Sequence, residues 1–454
     1  MNKKISLLSV LGGIIGCSVL TGCFSEVEYQ KRISGMRYHQ RMEMFDLATR
    51  KSSNIKNDLT LSGDKKVLIK APSNIKGKYV VPEGVEVIGK KAFLNCDGLT
   101  EVKLPSSVRK IEKYAFFRCE NLKKINLPDS IFYIGTAAFS YCSSLEKITI
   151  PEKVRLIEYA TFNSCSKLKS VTIPQKVSRI EESAFSGCDL ERVSLPADLE
   201  MIGPSAFASC SFTSLVIPEN VEYIGRDAFR NCSNLKAVAL PEDLEYLGER
   251  AFGGCRNLIN IKIPEKITRI ERGTFEQCHN LTAVILPENL KSIGPSAFFN
   301  CSKLPAIALP EKLEMIESSA FDSCYDLSQV IFPDSLKVIG DRAFMAGYSL
   351  EKVVFPEKMD KIGKCAFYEC RFLSKIKLPE GIKKIEYRTF YRCRFLEKIE
   401  LPDSVTEIGK EAFAKCEYLK YIKIPYKVYE IAPDAFHESA CQSYIKQNYS
   451  HLFR

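Results

Sequence analysis

Apolar and polar residues alternate along short stretches of this chain, and each stretch ends at a proline. In the stretch LKKINL before Pro128, Ile125 and Leu127 share one face of an extended segment. Lys124 and Asn126 alternate with them on the other face. Because proline has no backbone N–H to donate, the strand is expected to end at Pro128. The pattern predicts a short strand with one buried face and one exposed face.

The same unit recurs in sixteen copies, each close to P-x-x-V/L-x-x-I-G/E-x-x-A-F-x-x-C-x-x-L-x-x-I/V-x-L/I. Thirteen of the fifteen proline-to-proline steps are 23 residues long and two are 22. A fixed period of about 20–29 residues is typical of a solenoid. One coil of this length cannot bury its apolar residues alone, so neighbouring coils must stack around a shared core.

Each coil is expected to contain two further pieces after its proline. The first is a second short extended segment, such as residues 154–157, and the second is a compact turn that places the Phe of Ala-Phe in the core. The residue after the second segment is Gly in nine copies, Glu in six and Ala432 in the last. Since Glu rarely adopts a positive φ, this position is not expected to need a left-handed conformation.

The full pattern, L-x-x-I-x-L-P-x-x-V-x-x-I-G-x-x-A-F-x-x-C, resembles the BspA-like leucine-rich repeats of bacterial surface proteins over roughly residues 65–440. The resemblance implies an α/β, mainly β, solenoid: a right-handed superhelix of about sixteen 23-residue repeats with a continuous parallel sheet and short helical turns. It also implies a protein-binding surface protein, for example one that adheres to host matrix proteins or to other bacteria.

The N-terminus, MNKKISLLSVLGGIIGCSVLTGCFSEV, resembles a bacterial lipoprotein signal with its lipobox. Lipid attachment at Cys23 is therefore expected, and with it a location in the cell envelope, at the outer membrane or the cell surface. An ordinary secretory signal or a short membrane anchor are the alternatives. Removing residues 1–22 deletes two lysines and lowers the net charge from +10 to +8.

The predicted domains are a signal peptide at 1–22, a tether or helical cap at 23–64, the solenoid at 65–436 and a C-terminal helical cap at 437–454. Residues 28–51 could form a helix within the second of these. Both ends of a solenoid need such caps. No later apolar run has membrane-spanning length, so the lipid would be the sole membrane contact. We expect a monomer that does not bind nucleic acid, because the chain is exported.

Fourteen of the eighteen cysteines occupy one position of the repeat. The runs 96–324 and 370–416 contain eleven and three of them, so pairing between neighbours would leave a thiol over in each run. Gly347 and Ser439, which replace Cys at this position, indicate that it needs a small residue. A ladder of buried thiols is therefore favoured over disulfides or metal ligation, and no C-x-x-C zinc pattern occurs.

Catalytic signatures are not found in the sequence. The four histidines fall at unrelated repeat positions, and no hydrolase, P-loop, zincin or dinucleotide-binding motif occurs. An enzyme needs unlike groups converging on one point, whereas a repeat offers rows of like groups. We expect a protein that is not an enzyme and needs no cofactor or metal.

The outward strand positions are apolar in mid-chain, where a soluble protein usually exposes polar residues. An exposed apolar patch usually marks an interface, so a protein partner is expected here. The resemblance implies that this partner belongs to the host matrix or to a bacterial surface. The alternatives are that small strand-forming residues simply cover the sheet or that a loop covers them. The predicted patch consists of Val216, Ala239, Ile285, Ala308, Ile331 and Val354, with Tyr223 and Tyr246 on the neighbouring strands.

A second candidate surface is basic and lies near the C-terminus, interleaved with Tyr387 and Tyr391. It could hold an anionic glycan, an acidic protein or lipid headgroups, or it could be an ordinary solvated face. A glycan-binding or purely structural envelope protein is thus the alternative function, although the chain has no Trp. The residues are Arg371, Lys375, Lys377, Lys384, Arg388, Arg392 and Arg394.

Overall fold

A computed structural model describes residues 43–44, 59–72 and 74–454. The expected signal peptide and Cys23 lie outside the described residues. Of the possible helix at 28–51, the structure describes Glu43 and Met44, which are helical. Residues 56–454 form one compact unit, and this unit contains the solenoid.

Most repeats contribute a strand that ends just before the proline, and together these strands form the first strand row. A typical member has an exposed, a buried and an exposed residue in that order, as the alternating pattern predicts. The row comprises β3 (Gly77–Val80), β5 (Leu99–Lys103), β7 (Lys124–Asn126), β9 (Lys147–Thr149), β11 (Ser170–Thr172), β14 (Ser214–Val216), β16 (Ala237–Ala239), β18 (Asn260–Lys262), β20 (Ala283–Ile285), β23 (Gln329–Ile331), β25 (Lys352–Val354), β27 (Lys375–Lys377), β29 (Lys398–Glu400) and β31 (Tyr421–Lys423).

A second strand row runs beside it and is built mostly from two-residue strands whose last residue is buried. β1 (Thr60–Leu61) pairs antiparallel with the first strand of this row. The row comprises β2 (Val67–Lys70), β4 (Val87–Ile88), β6 (Lys110–Ile111), β8 (Tyr133–Ile134), β10 (Leu156–Ile157), β12 (Arg179–Ile180), β13 (Met201–Ile202), β15 (Tyr223–Ile224), β17 (Tyr246–Leu247), β19 (Arg269–Ile270), β21 (Ser292–Ile293), β22 (Met315–Ile316), β24 (Val338–Ile339), β26 (Lys361–Ile362), β28 (Lys384–Ile385), β30 (Glu407–Ile408) and β32 (Glu430–Ile431).

Strands of successive coils pair in parallel and in register, so Ser170 lies opposite Lys147 and Thr172 opposite Thr149. The sequence predicts one continuous sheet, whereas the structure divides each row into several shorter sheets. The first row is reduced to a single bridge where Ala306 meets Gln329. Pro305 precedes that bridge and has no N–H to donate to the preceding coil, which explains the break.

The Ala-Phe segments form turns stabilised by two alternating sets of hydrogen bonds. Phe93 N–H donates to Ala115 O of the next coil at 2.7 Å, and Cys96 N–H donates to Phe93 O of its own coil at 3.2 Å. Two residues per coil have positive φ, such as Lys91 at 64° and Asn95 at 58°. These left-handed residues prevent a regular helix, so the expected short helical turns are stacked non-helical turns instead.

The Gly/Glu position does not have a positive φ in any of its nine glycines, as expected from its tolerance of Glu. The glycines serve another purpose, because each lies against the backbone of the preceding coil. A Cβ at Gly89 would lie 2.8 Å from Leu68 O, and one at Gly225 would lie 2.5 Å from Pro204 N. Glycine is used here for close approach between coils.

The core lies between the two strand rows and the turns, and it runs through every repeat. The sixteen Phe residues from Phe93 to Phe436 stack in one column, with ring centroids of neighbours 4.7 Å to 5.9 Å apart. Ring planes are close to parallel, at 3° between Phe116 and Phe139. The separation of the centroids shows that the rings are offset, the arrangement that aromatic rings prefer.

The C-terminal end is covered by helix α1 (Gln442–Asn448) and a 3-10 turn at Ser450–Leu452. Ile445 and Cys441 are buried in the core from this end. Phe453 bridges to Ile431 of the last coil. Within the described residues, no helix has the length and apolar character needed to cross a bilayer.

Candidate functional site

The described part of the chain has no group of three or more His, Cys, Asp or Glu side chains arranged to hold a metal ion. What differs most between coils is the outward face of the first strand row. This face is polar at Lys124 and Asn126 near one end and at Lys398 and Glu400 near the other. Several coils between these ends carry apolar residues on this face, from Val216 to Val354.

The apolar part of the first strand row, which we call the apolar row, consists of Val216, Ala237, Ala239, Ala283, Ile285, Ala306, Ala308, Ile331 and Val354. Val216 is 73% exposed, Ile285 61% and Ile331 59%. Their strand neighbours Leu215 and Val330 are buried, because alternate residues of a strand point to opposite faces. The structure therefore places these side chains on the outward face of the sheet, where the alternating sequence pattern puts them.

A charged residue divides the apolar row into two parts. Val216 lies opposite Ala239, and Ile331 lies opposite Val354. Lys262 lies opposite Ile285, and its Nζ forms an ion pair with Glu242 at 2.7 Å. The longer apolar part therefore begins at Ile285 and continues through Ala308 to Val354.

A notch interrupts this longer part at Ala308. Ala308 occupies the same repeat position as Ile285 on one side and Ile331 on the other, so a small side chain lies between two large ones. The strand is also broken here, after Pro305. The result is an open cavity of about 470 Å³, which we call the alanine notch. Its lining includes Ala306, Ile307, Ala308, Leu309, Glu311, Gln329, Ile331, Phe332, Pro333 and Asp334.

Tyr223 and Tyr246 lie in the second strand row. Their rings stack with centroids 5.0 Å apart and planes at 14°, and Tyr246 is 37% exposed. Partial burial, followed by the neighbouring Tyr223 and nearby carboxylates, raises the pKa of Tyr246 to about 12, so its hydroxyl remains protonated at neutral pH. The pair thus offers a neutral, partly apolar surface beside the apolar row.

The seven basic residues are distributed over different parts of the coils, and most are paired with carboxylates. Lys375 and Lys377 point outward from β27, whereas Lys384 belongs to β28 in the second row. Arg388 and Arg392 belong to the Ala-Phe turn. The structure therefore does not bring the seven together on one strand face.

Five of these seven side chains form ion pairs with four carboxylates. Arg371 and Arg392 both contact Glu369, each at 2.8 Å. Lys384 pairs with Glu407 at 2.6 Å, Arg394 with Glu417 at 2.8 Å, and Arg388 with Glu411. Among the described residues no ion pair is found for Lys375 or Lys377. The four carboxylates therefore offset four of the seven positive charges.

A column of exposed aromatic rings was not anticipated from the sequence. Phe372 and Phe395 stack with centroids 5.4 Å apart, and Phe395 and Tyr418 with centroids 5.2 Å apart. Phe372 is half exposed, at 50%. The signal was present, because the residue two positions after the repeat Cys is aromatic in these three successive coils and elsewhere only at Phe212, which is buried in a shortened coil. Stacking hides the ring faces and leaves mainly ring edges to solvent.

Comparison with known proteins identifies the repeat. The family model described as "BspA type Leucine rich repeat region" matches residues 74–191, 156–280, 200–327 and 337–450. These overlapping matches cover most of the chain. No curated protein matches it. A solenoid of leucine-rich repeats is suited to protein–protein interaction.

Several solved structures of bacterial proteins are similar to this chain. A leucine-rich repeat protein from Bacteroides ovatus is 28% identical with a TM-score of 0.56, over 84% of this chain and 95% of that one. A leucine-rich cell surface protein from Faecalibacterium prausnitzii is 26% identical with a TM-score of 0.38, over 82% and 95% of the two chains. The pneumococcal vaccine antigen PcpA is 21% identical with a TM-score of 0.44, over 88% and 96%.

Proposed function

Because this chain belongs to the BspA-type leucine-rich repeat family, we propose that it is a lipid-anchored protein of the cell envelope whose apolar row binds a protein partner. The observation that carries the proposal is the exposure of Val216, Ile285 and Ile331 in mid-solenoid. Burying such a surface against a partner is favourable by about 25 cal/mol per Å² of apolar area. A binding role of this kind needs no catalytic group.

Adhesion is the form of binding that we propose, with a host matrix protein or a bacterial surface protein as the partner. The stacked coils support it by holding the apolar side chains on a rigid sheet, so that few of them lose freedom on binding. The Tyr223–Tyr246 pair would extend the contact onto the second strand row.

Glycan binding is not favoured as a second function. Sugars bind aromatic residues through ring faces, and the exposed column at Phe395 is stacked on both sides, with interplanar angles of 6° and 12°. The arginines nearby are paired with carboxylates. A solution test against glycans would nevertheless give a direct comparison with the protein partner.

The binding proposal is tested by photo-crosslinking on intact cells that display the protein. A photoreactive residue at Ile285 or Ile331 is expected to form a crosslink to a protein, which mass spectrometry identifies. Thr149 and Thr172 occupy the same outward position in polar coils, and they serve as matched controls. Equal crosslinking from all four positions would contradict the proposal.

The purified partner then provides the quantitative test. Ile285→Lys and Ile331→Lys should weaken its binding at least about tenfold, because each places a charge in a contact that excludes water. Thr149→Lys and Thr172→Lys should leave affinity within about twofold. Unchanged affinity in the two isoleucine variants would reject the apolar row as the binding site.

The anchor and its location are tested separately. Labelled palmitate should be incorporated by the wild type and lost in Cys23→Ser, whereas Cys17→Ser should retain it. Protease treatment of intact cells then distinguishes display at the surface from residence beneath an outer membrane. Retention of the label in Cys23→Ser would reject Cys23 as the attachment point.

A further inference from the structure

The edge of the sheet beside the apolar row is acidic. The residue after the repeat proline is a carboxylate in nine successive coils, although the chain as a whole has a net charge of +10. The nine are Glu219, Glu242, Glu265, Glu288, Glu311, Asp334, Glu357, Glu380 and Asp403. A row of carboxylates on a basic protein attracts cations to this edge.

Carboxylates next to the alanine notch are available for a partner. Glu242, in an earlier coil, already forms an ion pair with Lys262. No ion pair is found within the described residues for Glu288, Glu311 or Asp334. The nearest lysine by sequence, Lys312, donates to Asn289 Oδ1 at 2.7 Å and not to one of these carboxylates.

Two of the three carboxylates form part of the notch itself. Glu311 and Asp334 line the cavity together with Ala308 and Ile331, so apolar and acidic groups share one opening of about 470 Å³. Cavities of about 300–1,000 Å³ are the size at which proteins hold a ligand group. A neutral or anionic occupant would leave both carboxylates without a counter-charge.

We propose that the alanine notch accepts an apolar side chain from an extended protein segment, and that Glu311 and Asp334 pair with lysine or arginine residues beside that side chain. This rests on the proposed binding at the apolar row and names the chemistry of the partner there. In an extended segment, successive side chains lie about 3.3 Å apart along the chain and point to alternate faces. An apolar residue and basic residues two positions away on either side would therefore share one face and reach the notch and its acidic edge together.

The shape of the notch is tested by Ala308→Ile in the full chain. Ile is the residue found at this position in the coils on both sides, so the sheet should accept it. The variant fills the notch while increasing the exposed apolar area. If the notch receives a side chain, the affinity of the variant for the purified partner should fall about tenfold. If binding depends only on the exposed apolar area, the affinity for the purified partner should rise, and this result would overturn the proposal.

The charge requirement is tested by fluorescence anisotropy with two labelled peptides, Lys-Ser-Leu-Ser-Lys and Glu-Ser-Leu-Ser-Glu, in which Leu and the charged residues share one face of an extended chain. The basic peptide should bind at least tenfold more tightly, and added salt should weaken it because screening reduces the attraction. The double variant Glu311→Gln, Asp334→Asn should weaken the basic peptide about fivefold. The matched double variant Glu152→Gln, Asp129→Asn lies at the same repeat position in polar coils and should change nothing.

The outcomes separate this inference from the proposed function. If the basic peptide does not bind, or binds no better than the acidic one, the inference fails. If Ile331→Lys abolishes binding of the natural partner while the Glu311→Gln, Asp334→Asn variant binds it normally, the apolar row still docks a partner but that partner is not basic. If Ile331→Lys also has no effect, the proposed function fails as well.

Discussion

The thiol of Cys119 donates a hydrogen bond to the carbonyl oxygen of Phe93, which lies in the preceding coil at 3.0 Å. The same oxygen accepts the backbone N–H of Cys96 at 3.2 Å, from its own coil. One carbonyl therefore links two neighbouring coils.

This arrangement repeats along the solenoid and ends with Cys416, whose thiol donates to Phe390 O at 3.1 Å. All sixteen described cysteines are free and buried. The position needs a small residue that fills the core and can donate weakly, and cysteine does both. Cys365 lies off the ladder because it occupies one of the left-handed turn positions, with φ of 55°.

The ladder thiols should be unreactive in the folded protein. Burial raises the pKa of Cys232 to about 12, and burial also raises that of Cys96, in the first coil of the ladder, to about 11. Only the thiolate reacts, and at pH 8 it is a very small fraction. Alkylation with N-ethylmaleimide at pH 8 should therefore be slow in buffer and complete in guanidinium.

Mass spectrometry of partly alkylated protein gives the order of reaction. Cys96 and Cys365 should be modified first, because they are less deeply buried than the thiols inside the ladder. Cys255, which burial holds protonated in mid-solenoid, should be among the last. Modification of Cys255 as early as Cys96 would show that the ladder is open to solvent.

Gly347 leaves one gap in the ladder, and filling it should stabilise the protein. A Cβ there would lie 3.2 Å from Phe344 O and 3.5 Å from Cys370 Sγ, and φ is not positive. Gly347→Cys should add a thiol that can reach Phe321 O, as its neighbours do in their own coils. We expect a gain of about 1 kcal/mol, partly from the lower entropy of the unfolded chain.

The measurement is the midpoint of thermal or urea unfolding. Gly347→Ala is the matched control, because it gains the entropic part without the thiol, and it should fall between wild type and Gly347→Cys. A lower midpoint for both variants would mean that the glycine is needed at this coil for close packing.

Some of this structure could be predicted from the sequence because the repeat aligns equivalent residues. The Phe column, the Cys position and the outward direction of Ile285 and Ile331 all follow from one period and the alternation of strands. The left-handed turns did not follow, since Lys91 and Asn95 are not glycines and give no local signal of positive φ.

The pairing of charges also escaped prediction, for a physical reason. Arg388 meets Glu411 and Arg394 meets Glu417 across neighbouring coils, 23 residues away in each case. A run of basic residues looks like a patch when the chain is read linearly, but stacking brings the carboxylates of the next coil beside it. The alanine notch depends on the loss of strand pairing after Pro305 as well as on the size of Ala308.

Stability should depend on pH through Glu158. Burial first and the neighbouring Glu181 second raise the pKa of Glu158 to about 7, while Arg179 opposes the shift. Because the folded-state pKa lies above the ordinary value of 4.5, this group's contribution to stability is complete below about pH 4.5. It is lost as the pH rises through 7. The loss should amount to about 2–3 kcal/mol.

Urea unfolding midpoints between pH 5 and pH 8 test this dependence. Glu158→Gln keeps the side-chain shape without a charge, so it should flatten the fall and be more stable than wild type at pH 8. Glu152→Gln, at an exposed position of the same coil, should keep the wild-type slope. A slope that survives in Glu158→Gln would assign the pH dependence to other groups.

The left-handed turn positions should favour glycine. Ser209 is exposed, has φ of 59° and donates its backbone N–H to Arg230 O of the next coil at 2.7 Å. Gly187 and Gly254 occupy the same repeat position in other coils, with φ of 71° and 74°. For a non-glycine residue this left-handed conformation is less favourable by about 1–2 kcal/mol. Ser209→Gly should therefore raise the unfolding midpoint, by up to about 1 kcal/mol after the added entropy of the unfolded chain is subtracted.

Ser209→Val provides the opposite case, because a β-branched residue is least compatible with positive φ. It should lower stability by about 1–2 kcal/mol, and the exposed position ensures that this effect comes from the backbone and not from core packing. If Ser209→Gly and Ser209→Val unfold at the same urea concentration, the turn conformation at this coil is not the one described. Hydrogen exchange at the Ser209 amide would then show whether its bond to Arg230 forms at all.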